Sequence, residues 1–192
     1  MLVVGLGNPG PTYANNRHNF GFLVLDALES SVNAQGWQSK FKGHFASGHL
    51  ETKRLFLLKP MTFMNLSGNS VQDAAHFYQL EAEEIIVVHD ELDLPFGTVR
   101  IKKGGGTAGH KGISSIAQAL KSTDFIRVRM GIDRPPSQNL TNYVLDNFST
   151  DEVRNLTDVI DNAVRTVESI AILGVQKAMN ETNRRGGKTN ES

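Results

Sequence analysis

Apolar and polar positions alternate along this chain with two different periods. Strand-like runs, which are β-branched, apolar or alternating, cover residues 1–6, 43–50, 54–58, 84–88, 98–102 and 126–132. Apolar residues at helical spacing cover residues 19–32, 69–78 and 113–120. Interleaved strands and helices are typical of α/β proteins. We therefore predict one α/β domain built on a twisted, mixed and largely parallel sheet that is flanked by helices.

The sequence around residue 149 is typical of a helix start. Ser149 can cap a helix, Glu152 stands three residues later as its reciprocal partner, and Phe148 can pack against the first turn. This pattern predicts a long helical region toward the C-terminus. Apolar periodicity is lost after about residue 180, so we expect a domain at residues 1–183 and a flexible tail at residues 184–192.

Length and composition argue against a membrane-spanning or secreted protein and against chemistry that uses cysteine. The chain has 192 residues, which suits one domain, and no apolar run approaches the roughly 18 residues of a membrane span. Its first residues lack the basic leader and cleavage site of a secretory signal, so we expect a cytoplasmic protein. The absence of cysteine excludes disulfides, thiolate nucleophiles and cysteine-ligated zinc.

Charged residues are balanced in number but segregated along the chain. Lys+Arg and Asp+Glu are both 20. Residues 72–93 carry seven acidic side chains and no Lys or Arg, whereas residues 100–134 carry eight Lys or Arg against Asp124 and Asp133. The net charge of +6 in the second segment could meet phosphate, although two solvated surfaces that offset each other would give the same pattern.

A glycine-rich loop follows the first predicted strand. Gly5, Gly7 and Gly10 match the spacing of a dinucleotide-binding fingerprint. That fingerprint needs a helix that begins within the glycines, but Pro9 stands where this helix would open. It also needs an acidic residue at the end of a second strand, and Asp26 falls inside the first predicted helix. We therefore do not expect a nucleotide cofactor.

Common hydrolase signatures are absent from the sequence. It contains no Walker phosphate loop, no Gly-x-Ser-x-Gly elbow and no His-Glu-x-x-His zinc motif. His89 and Asp90 could suggest a metal-dependent phosphohydrolase, but neighbouring residues of a strand point to opposite faces. A metalloenzyme is therefore only a minor alternative.

Polar residues in otherwise apolar or glycine-rich loops supply the candidate chemistry. Asn8 follows the first strand, His18 precedes the first helix, Asn65 lies in the loop 60–68, and Asp90 ends the strand that begins near residue 84. Open α/β sheets bind ligands at the carboxyl ends of their strands. We therefore expect these four side chains to converge, although each alone could be an ordinary turn, cap or structural residue.

Taken together, the loops and strands resemble the bacterial peptidyl-tRNA hydrolases over nearly the whole chain. The matching segments are residues 5–10, 17–19, 59–68, 89–95, 104–110, 127–132 and 177–180. The resemblance implies an α/β hydrolase that cleaves the ester between a peptide and its transfer RNA. Its substrate would be peptidyl-tRNA released prematurely from the ribosome, and hydrolysis would return the tRNA to use.

The resemblance also implies a mechanism that needs neither a metal nor a cofactor. His18 would be the general base that takes a proton from water, because its imidazole is largely neutral near pH 7. Asp90 would bind the other ring nitrogen and stabilise the imidazolium that forms. Asn8 and Asn65 would hold the water, the peptide or the oxyanion, and the sequence leaves the division between them open.

Two further groups of residues would bind the substrate if the resemblance holds. Aromatic and thioether side chains would contact the terminal adenine or the peptide, and basic side chains would hold the tRNA acceptor end through its phosphates. The first group is Tyr13, Phe63 and Met64, and the second is Arg100, Lys102 and Arg129.

One position departs from the family pattern. Where the family has Gly-His-Asn-Gly, this chain has Gly109-His110-Lys111-Gly112. A lysine can donate hydrogen bonds or meet phosphate, but it cannot accept a bond as an asparagine carbonyl does. We therefore place Lys111 among the substrate-binding residues without the asparagine's role, and we expect His110 close by, in the site or directly behind it.

The expected partner is peptidyl-tRNA, recognised through its acceptor end and its peptide. We expect no membrane contact, no obligate protein partner and a monomeric chain. The alternative is a noncatalytic RNA-binding or ribosome-associated protein of the same fold. Such a protein would use the basic segment but would not need His18 opposite Asp90, so the approach of these two side chains separates the hypotheses.

Overall fold

One mixed sheet of seven strands forms the centre of the molecule, which a computed structural model describes over residues 1–135 and 139–185. The strands are β1 Leu2–Gly5, β2 Gln38–Lys40, β3 Gly43–Leu50, β4 Lys53–Pro60, β5 Ile85–Glu91, β6 Val99–Lys103 and β7 Ile126–Gly131. Their spatial order is β2-β3-β4-β1-β5-β7-β6. The three central pairings are parallel, and the pairings nearer both edges are antiparallel. The predicted mixed α/β sheet is confirmed, but the expectation that it is largely parallel is too strong, because only the three pairings in the middle are parallel.

Helices cover both faces of this sheet. They are α1 Phe20–Ser31, α2 Ser67–Tyr78, α3 Lys111–Leu120, α4 Leu140–Leu145, α5 Thr150–Leu173 and α6 Val175–Arg185. One core joins α1, α5 and α6 to the sheet, and a second core joins α2 and α3 to its other face. Adjacent strand residues divide between the two, since Val3 belongs to the first core and Leu2 and Val4 to the second. The predicted capping box of Ser149 and Glu152 begins α5.

The parallel arrangement brings four loops to one end of the sheet. Strands β1, β4, β5 and β7 all run in the same direction, so their carboxyl ends lie side by side. Asn8 follows β1, Asn65 follows β4, and Asp90 stands near the end of β5. The predicted convergence of these residues therefore follows directly from the topology.

Three glycines allow α1 to pack closely against β1 and the loop that follows it. A Cβ atom on Gly5 would lie 2.3 Å from the Gly21 carbonyl oxygen, and one on Gly21 would lie 2.3 Å from the Leu6 nitrogen. A Cβ atom on Gly7 would meet the Phe22 ring at 2.7 Å. These glycines serve close packing, and α1 begins only at Phe20. The structure thus supports the rejection of a dinucleotide-binding loop.

Three features differ from the sequence-based expectation. Strand β2 and helix α4 were not expected, and α6 continues to Arg185, although a flexible tail was expected from residue 184. The last turns of α6 are held because the Asn183 amide binds both the N–H and the C=O of Ile101 on the edge strand β6, each at 2.9 Å. Most of the expected tail, residues 186–192, lies outside the described residues. No described helix is long and apolar enough to cross a membrane.

Candidate active site

A cavity of about 450 Å³ opens at the carboxyl ends of the central strands. It brings together eight of the residues singled out from the sequence: Asn8, His18, Phe63, Met64, Asn65, Asp90, His110 and Lys111. The other four, Tyr13, Arg100, Lys102 and Arg129, are not among the described residues that line it. The expected catalytic residues are therefore gathered, and the expected phosphate-binding residues lie elsewhere.

His18 and Asp90 form a direct pair inside this cavity. The Nδ1 atom of His18 lies 2.8 Å from Oδ1 of Asp90, and only 11% of the His18 side chain and 2% of the Asp90 side chain are exposed. The two residues are 72 positions apart in the chain. The Nε2 atom of His18 makes no hydrogen bond to any residue that the structure describes, so one ring nitrogen is held while the other stays available.

The turn that carries His18 is anchored by its neighbour Arg17. The buried guanidinium of Arg17 makes a two-point contact with the Glu152 carboxylate, at 2.6 and 3.1 Å, and lies 4.3 Å from the centre of the Tyr143 ring. Its backbone N–H donates to the Asp146 carbonyl at 3.1 Å. These contacts fix the short turn Arg17–Asn19 against α4 and the start of α5. They thereby fix the position of His18, which lies in this turn.

Asn8 is oriented by hydrogen bonds on three sides. Its backbone N–H donates to Oδ1 of Asn19 at 2.8 Å, and its carbonyl accepts from Nδ2 of Asn19 at 3.0 Å. Its side-chain Oδ1 accepts the backbone N–H of Met64 at 2.8 Å. The bond to Met64 fixes the orientation of the amide, and its Nδ2 group, which makes no hydrogen bond within the described residues, is left as a donor for a ligand. Sequence reasoning did not recognise Asn19 as the residue that holds this loop.

Asn65 and Phe63 are both exposed in the loop after β4. Phe63 keeps 59% of its surface exposed, whereas Met64 between them is buried at 4%. Asn65 is also exposed, and its amide makes no hydrogen bond within the described residues. Both its oxygen and its nitrogen are therefore open to a ligand, in contrast to Asn8.

Two further histidines lie beside Asp90. The Nε2 atom of His110 lies 3.0 Å from the same Oδ1 atom that binds His18. The His89 ring packs edge-on against His110, with ring centres 4.9 Å apart, and its Nδ1 group donates to the Asp90 carbonyl at 2.7 Å. Asp90 thus accepts hydrogen bonds from two imidazoles at one carboxylate oxygen.

A buried arginine shapes the loop that leads to His110. The Arg127 guanidinium binds three successive carbonyls, those of Gly104, Gly105 and Gly106, with the last two at 2.6 and 2.8 Å. Arg127 is 3% exposed. The glycine cluster and Arg127 were both noted in the sequence, but nothing in their spacing indicated that Arg127 binds the glycine carbonyls.

Helix α4 supplies a wall of the cavity that the sequence analysis missed. Its contributions are Leu140, Thr141, Val144 and Leu145. The helix has only six residues, and its Asn139 side chain accepts the backbone N–H of Asn142 as an N-cap. A capping Asn before a short apolar segment was the available signal, but six residues are too few for a periodic pattern.

The predicted phosphate-binding residues share one face at the edge of the sheet. Arg100 pairs with Arg129 and Lys102 pairs with Arg127 across the antiparallel strands β6 and β7, and such opposite residues point to the same side. Two of these cations are engaged within the protein: Arg129 binds Glu91 at 2.9 Å, and Arg100 binds the Asn183 carbonyl. Lys102 is exposed and forms no salt bridge within the described residues.

Two cationic side chains line the cavity itself. Arg134 is paired with Asp93 at 2.7 Å, whereas Lys111 forms no salt bridge to a described residue. Lys111 is also the first residue of α3. A positive charge at a helix N-terminus is unfavourable by roughly 0.3–1 kcal/mol, so its presence there is more readily explained by a negatively charged ligand than by helix stability.

Burial and hydrogen bonding set the protonation of the central groups. Burial would raise the pKa of Asp90, but its interactions with His18 and His110 outweigh this effect and hold the pKa well below its ordinary value. Burial lowers the pKa of His18, yet the charge and hydrogen bond of Asp90 raise it more, so it lies above its ordinary value. Burial, helped by the nearby His110, lowers the pKa of His89 to about 3. Asp90 is therefore an anion and His89 a neutral ring.

Three of these side chains could in principle hold a metal ion. His18, Asp90 and His110 each offer one ligand atom, and these atoms lie within 4.8 Å of one another. His89, which the sequence had paired with Asp90 as a possible metal site, is not a member of this group. Its Nε2 atom is buried and has no partner within the described residues.

Comparisons with known proteins agree with this arrangement. A family model described as peptidyl-tRNA hydrolase matches residues 2–191. The peptidyl-tRNA hydrolase of Geotalea daltonii is 49% identical over 93% of this chain and 93% of its own length, and that of Citrifermentans bemidjiense is 47% identical over 96% and 98%. The crystal structure of peptidyl-tRNA hydrolase from Acinetobacter baumannii matches with a TM-score of 0.89 and 38% identity, over 95% of this chain and 93% of that one. The likeness spans nearly the whole chain in sequence and in fold.

Removal of the Lys111 charge should raise the pKa of His18. The lysine charge lowers that pKa and opposes Asp90, so Lys111→Met should leave His18 protonated at a higher pH. NMR titration of the His18 ring protons in the wild type and the variant measures the change. Lys121→Met, just after the far end of α3, is the control and should leave the titration unmoved. An unchanged or lowered pKa in Lys111→Met would show that the Lys111 ammonium does not act on the ring.

Proposed function

The chain belongs to the peptidyl-tRNA hydrolase family and hydrolyses the ester bond between a peptide and its tRNA, and we propose that His18 activates the attacking water while Asp90 orients His18. The observation that carries this assignment is the 2.8 Å contact between Nδ1 of His18 and Oδ1 of Asp90 inside the cavity. A base held by a carboxylate, with its second nitrogen available, is the arrangement that water activation requires.

The proton positions follow from the partners of each group. Asp90 is ionised and can only accept, so Nδ1 of His18 carries a proton and Nε2 has the free lone pair. Nε2 takes a proton from water as the water oxygen attacks the ester carbonyl. The imidazolium, stabilised by Asp90, then returns that proton to the ribose oxygen as the ester bond breaks. The products are a free carboxylic acid on the peptide and a free hydroxyl on the tRNA.

The developing oxyanion needs a hydrogen-bond donor fixed before the reaction begins. Asn8 suits this role, because the Met64 N–H binds its Oδ1 atom and fixes the amide, and the Nδ2 group remains a donor for a ligand in the cavity. Asn65 is exposed and can both donate and accept, which suits a contact with the peptide backbone. Asn8 therefore stabilises the transition state, and Asn65 positions the peptide.

The cavity offers apolar surface on two sides of the reacting bond. Phe63 is exposed at the rim and can stack on the terminal adenine, while the side chains of α4 form the wall where the peptide would lie. Met64 is buried and acts mainly by holding Asn8. Tyr13 lies outside the cavity lining, so its contact with substrate would have to come from a part of the tRNA that extends beyond the cavity.

Contacts with phosphate would hold the tRNA independently of its sequence. Lys111 at the cavity is suited to a phosphate near the reacting end, and the edge of the sheet carries Lys102 with Arg100 and Arg129 beside it. Lys102 is the member of this row that is exposed and without a salt bridge among the described residues. We therefore assign the largest electrostatic contribution at the edge to Lys102.

Two observations argue against a noncatalytic RNA-binding role. The chain belongs to a family of hydrolases, and a protein that only binds RNA would not need the contact between His18 and Asp90. We infer a cytoplasmic location, since peptidyl-tRNA is a product of ribosomes. The monomeric state expected from the sequence stays a prediction.

His18→Ala should abolish most of the catalysis. Loss of a general base costs roughly 10²–10⁴ in rate, so peptide release from peptidyl-tRNA should fall by about that factor while the fold is kept. The assay includes a chelator throughout. His76→Ala, at an exposed position on α2, is the matched control and should keep the wild-type rate. Equal turnover by His18→Ala and the wild type would remove His18 as the base.

Asn8→Asp should separate the two functions of the Asn8 amide. The carboxylate can still accept the Met64 N–H, but it cannot donate to an oxyanion and adds a repulsive negative charge. We expect kcat to fall by about 10²–10³, as for other oxyanion donors, with some loss of thermal stability because the new carboxylate is largely buried. Asn65→Asp, at an exposed position, should affect KM more than kcat. A kcat near that of the wild type in Asn8→Asp would contradict the oxyanion role.

Lys102→Ala should weaken tRNA binding in a salt-dependent way. Each phosphate contact contributes about 0.9 to the slope of log affinity against log salt on a duplex, so the slope should decrease by about this amount. The measurement is binding of a tRNA whose peptide is attached by an amide that is not cleaved. Lys53→Ala, an exposed lysine at the start of β4, should leave the slope unchanged. The same slope in Lys102→Ala and the wild type would mean that tRNA does not reach this edge.

A further inference from the structure

His110 is hydrogen-bonded at both of its ring nitrogens. Its Nδ1 atom accepts the backbone N–H groups of Gly112 and Ile113, at 3.1 and 3.3 Å, so the side chain is the N-cap of α3. Its Nε2 atom lies 3.0 Å from Oδ1 of Asp90. The side chain is mostly buried, with 10% of its surface exposed. The ring therefore connects the start of α3 to the carboxylate at the end of β5.

The partners of this ring determine where its proton lies. Backbone N–H groups can only donate, so Nδ1 must offer a lone pair. An ionised carboxylate can only accept, so Nε2 must carry the proton. The opposite tautomer would set a proton on Nδ1 against two N–H groups and a lone pair on Nε2 against the Asp90 oxygen. All three hydrogen bonds of the ring would then be lost.

We propose that His110 is a positioning residue: the helix cap fixes its proton on Nε2, and this N–H fixes the Asp90 carboxylate that orients His18. The proposal rests on the proposed function, because it concerns how the base of that reaction is held. It also distinguishes the two histidines that share Oδ1 of Asp90. His18 keeps a lone pair for water at Nε2, whereas both nitrogens of His110 are committed within the protein.

The fixed tautomer also bears on the possible metal site. A metal ion bound by His18, Asp90 and His110 would need the lone pair of His110 Nε2, the only nitrogen of that ring that faces Asp90. Freeing this lone pair would move the proton to Nδ1 and break the cap at Gly112 and Ile113. The cluster is thus organised as a chain of hydrogen bonds and not as a set of ligands.

The His110 N–H should also moderate the strength of the base. The His110 N–H and the His18 ring bind the same Oδ1 atom. Without the His110 N–H, Asp90 would interact more strongly with protonated His18, and the pKa of His18 would rise. The charged or titratable groups that face the His18 ring are Asp90 from β5, with His110 and Lys111 from the start of α3. The Tyr143 ring of α4, which packs on the same turn, lies against Arg17. Loss of the N–H should therefore move the acid limb of the rate profile to higher pH.

Two amide substitutions separate the two contacts of His110. In His110→Asn the side-chain oxygen takes the place of Nδ1 and keeps the cap, but no donor reaches Asp90. In His110→Gln the side-chain nitrogen can take the place of Nε2 and keep the donor, but the cap is lost. We expect His110→Asn to keep the helix cap but to lower the Tm, because the buried Asp90 carboxylate loses one donor. It should also lose on the order of tenfold in kcat with little change in KM, and its acid limb of kcat/KM should move to higher pH. We expect His110→Gln to lower the Tm and to keep the wild-type pH profile.

The ring nitrogen resonances test the tautomer without any substrate. In 15N-labelled protein near neutral pH, Nδ1 of His110 should give the signal of an unprotonated nitrogen and Nε2 that of a protonated one. A protonated Nδ1, or a wild-type pH profile in His110→Asn, would overturn the proposal. The tautomer measurement stands apart from the His18→Ala assay. Failure of that assay alone would remove the base and leave the geometry of His110 untouched.

Discussion

Asp90 buries a carboxylate at the carboxyl end of β5, where its side chain is 2% exposed. An unpaired charge in such a place costs several kcal/mol, and the cost is offset only when N–H donors surround the oxygen atoms. Two imidazoles supply those donors at Oδ1, from residues 72 and 20 positions away in the chain. Because the same N–H groups satisfy the buried anion and hold His18 and His110, the fold and the reactive pair are stabilised by the same contacts.

The segments that carry these donors are held by interactions far from the reacting bond. The turn before α1 is fixed by Arg17, which binds Glu152 in the capping box of α5. The loop before α3 is fixed by Arg127, whose guanidinium binds three glycine carbonyls. Arginine suits both tasks because its planar group offers several donors in fixed directions. Rigid support outside the cavity therefore determines how well the groups inside it are aligned.

The fold and the pair of His18 and Asp90 could be predicted from the sequence, because hydrophobic periodicity indicates the strands and helices and the motifs shared with the family indicate the pair. Alternation and helical spacing located six of the seven strands and most helices, and loops after strands located Asn8, His18, Asn65 and Asp90. Short elements escaped, since the three residues of β2 and the six of α4 are too few for a period to appear. The contacts of Arg127 with the glycine carbonyls and of His110 with Asp90 were not predicted either, because they join groups that only the tertiary fold brings together.

The charge pattern is the clearest case in which the sequence alone does not show which charged residues pair in the fold. The acidic segment and the basic segment are separate in sequence, yet they become neighbours because β5 and β7 are adjacent strands. Glu91 then pairs with Arg129, and Asp93 with Arg134, so part of the apparent +6 is neutralised inside the protein. Lys111 at the cavity and Lys102 at the sheet edge keep exposed charges without a salt bridge to a described residue. Under the proposed function, binding strength and ester chemistry would lie with different groups, so that one catalytic pair could serve tRNAs of any sequence.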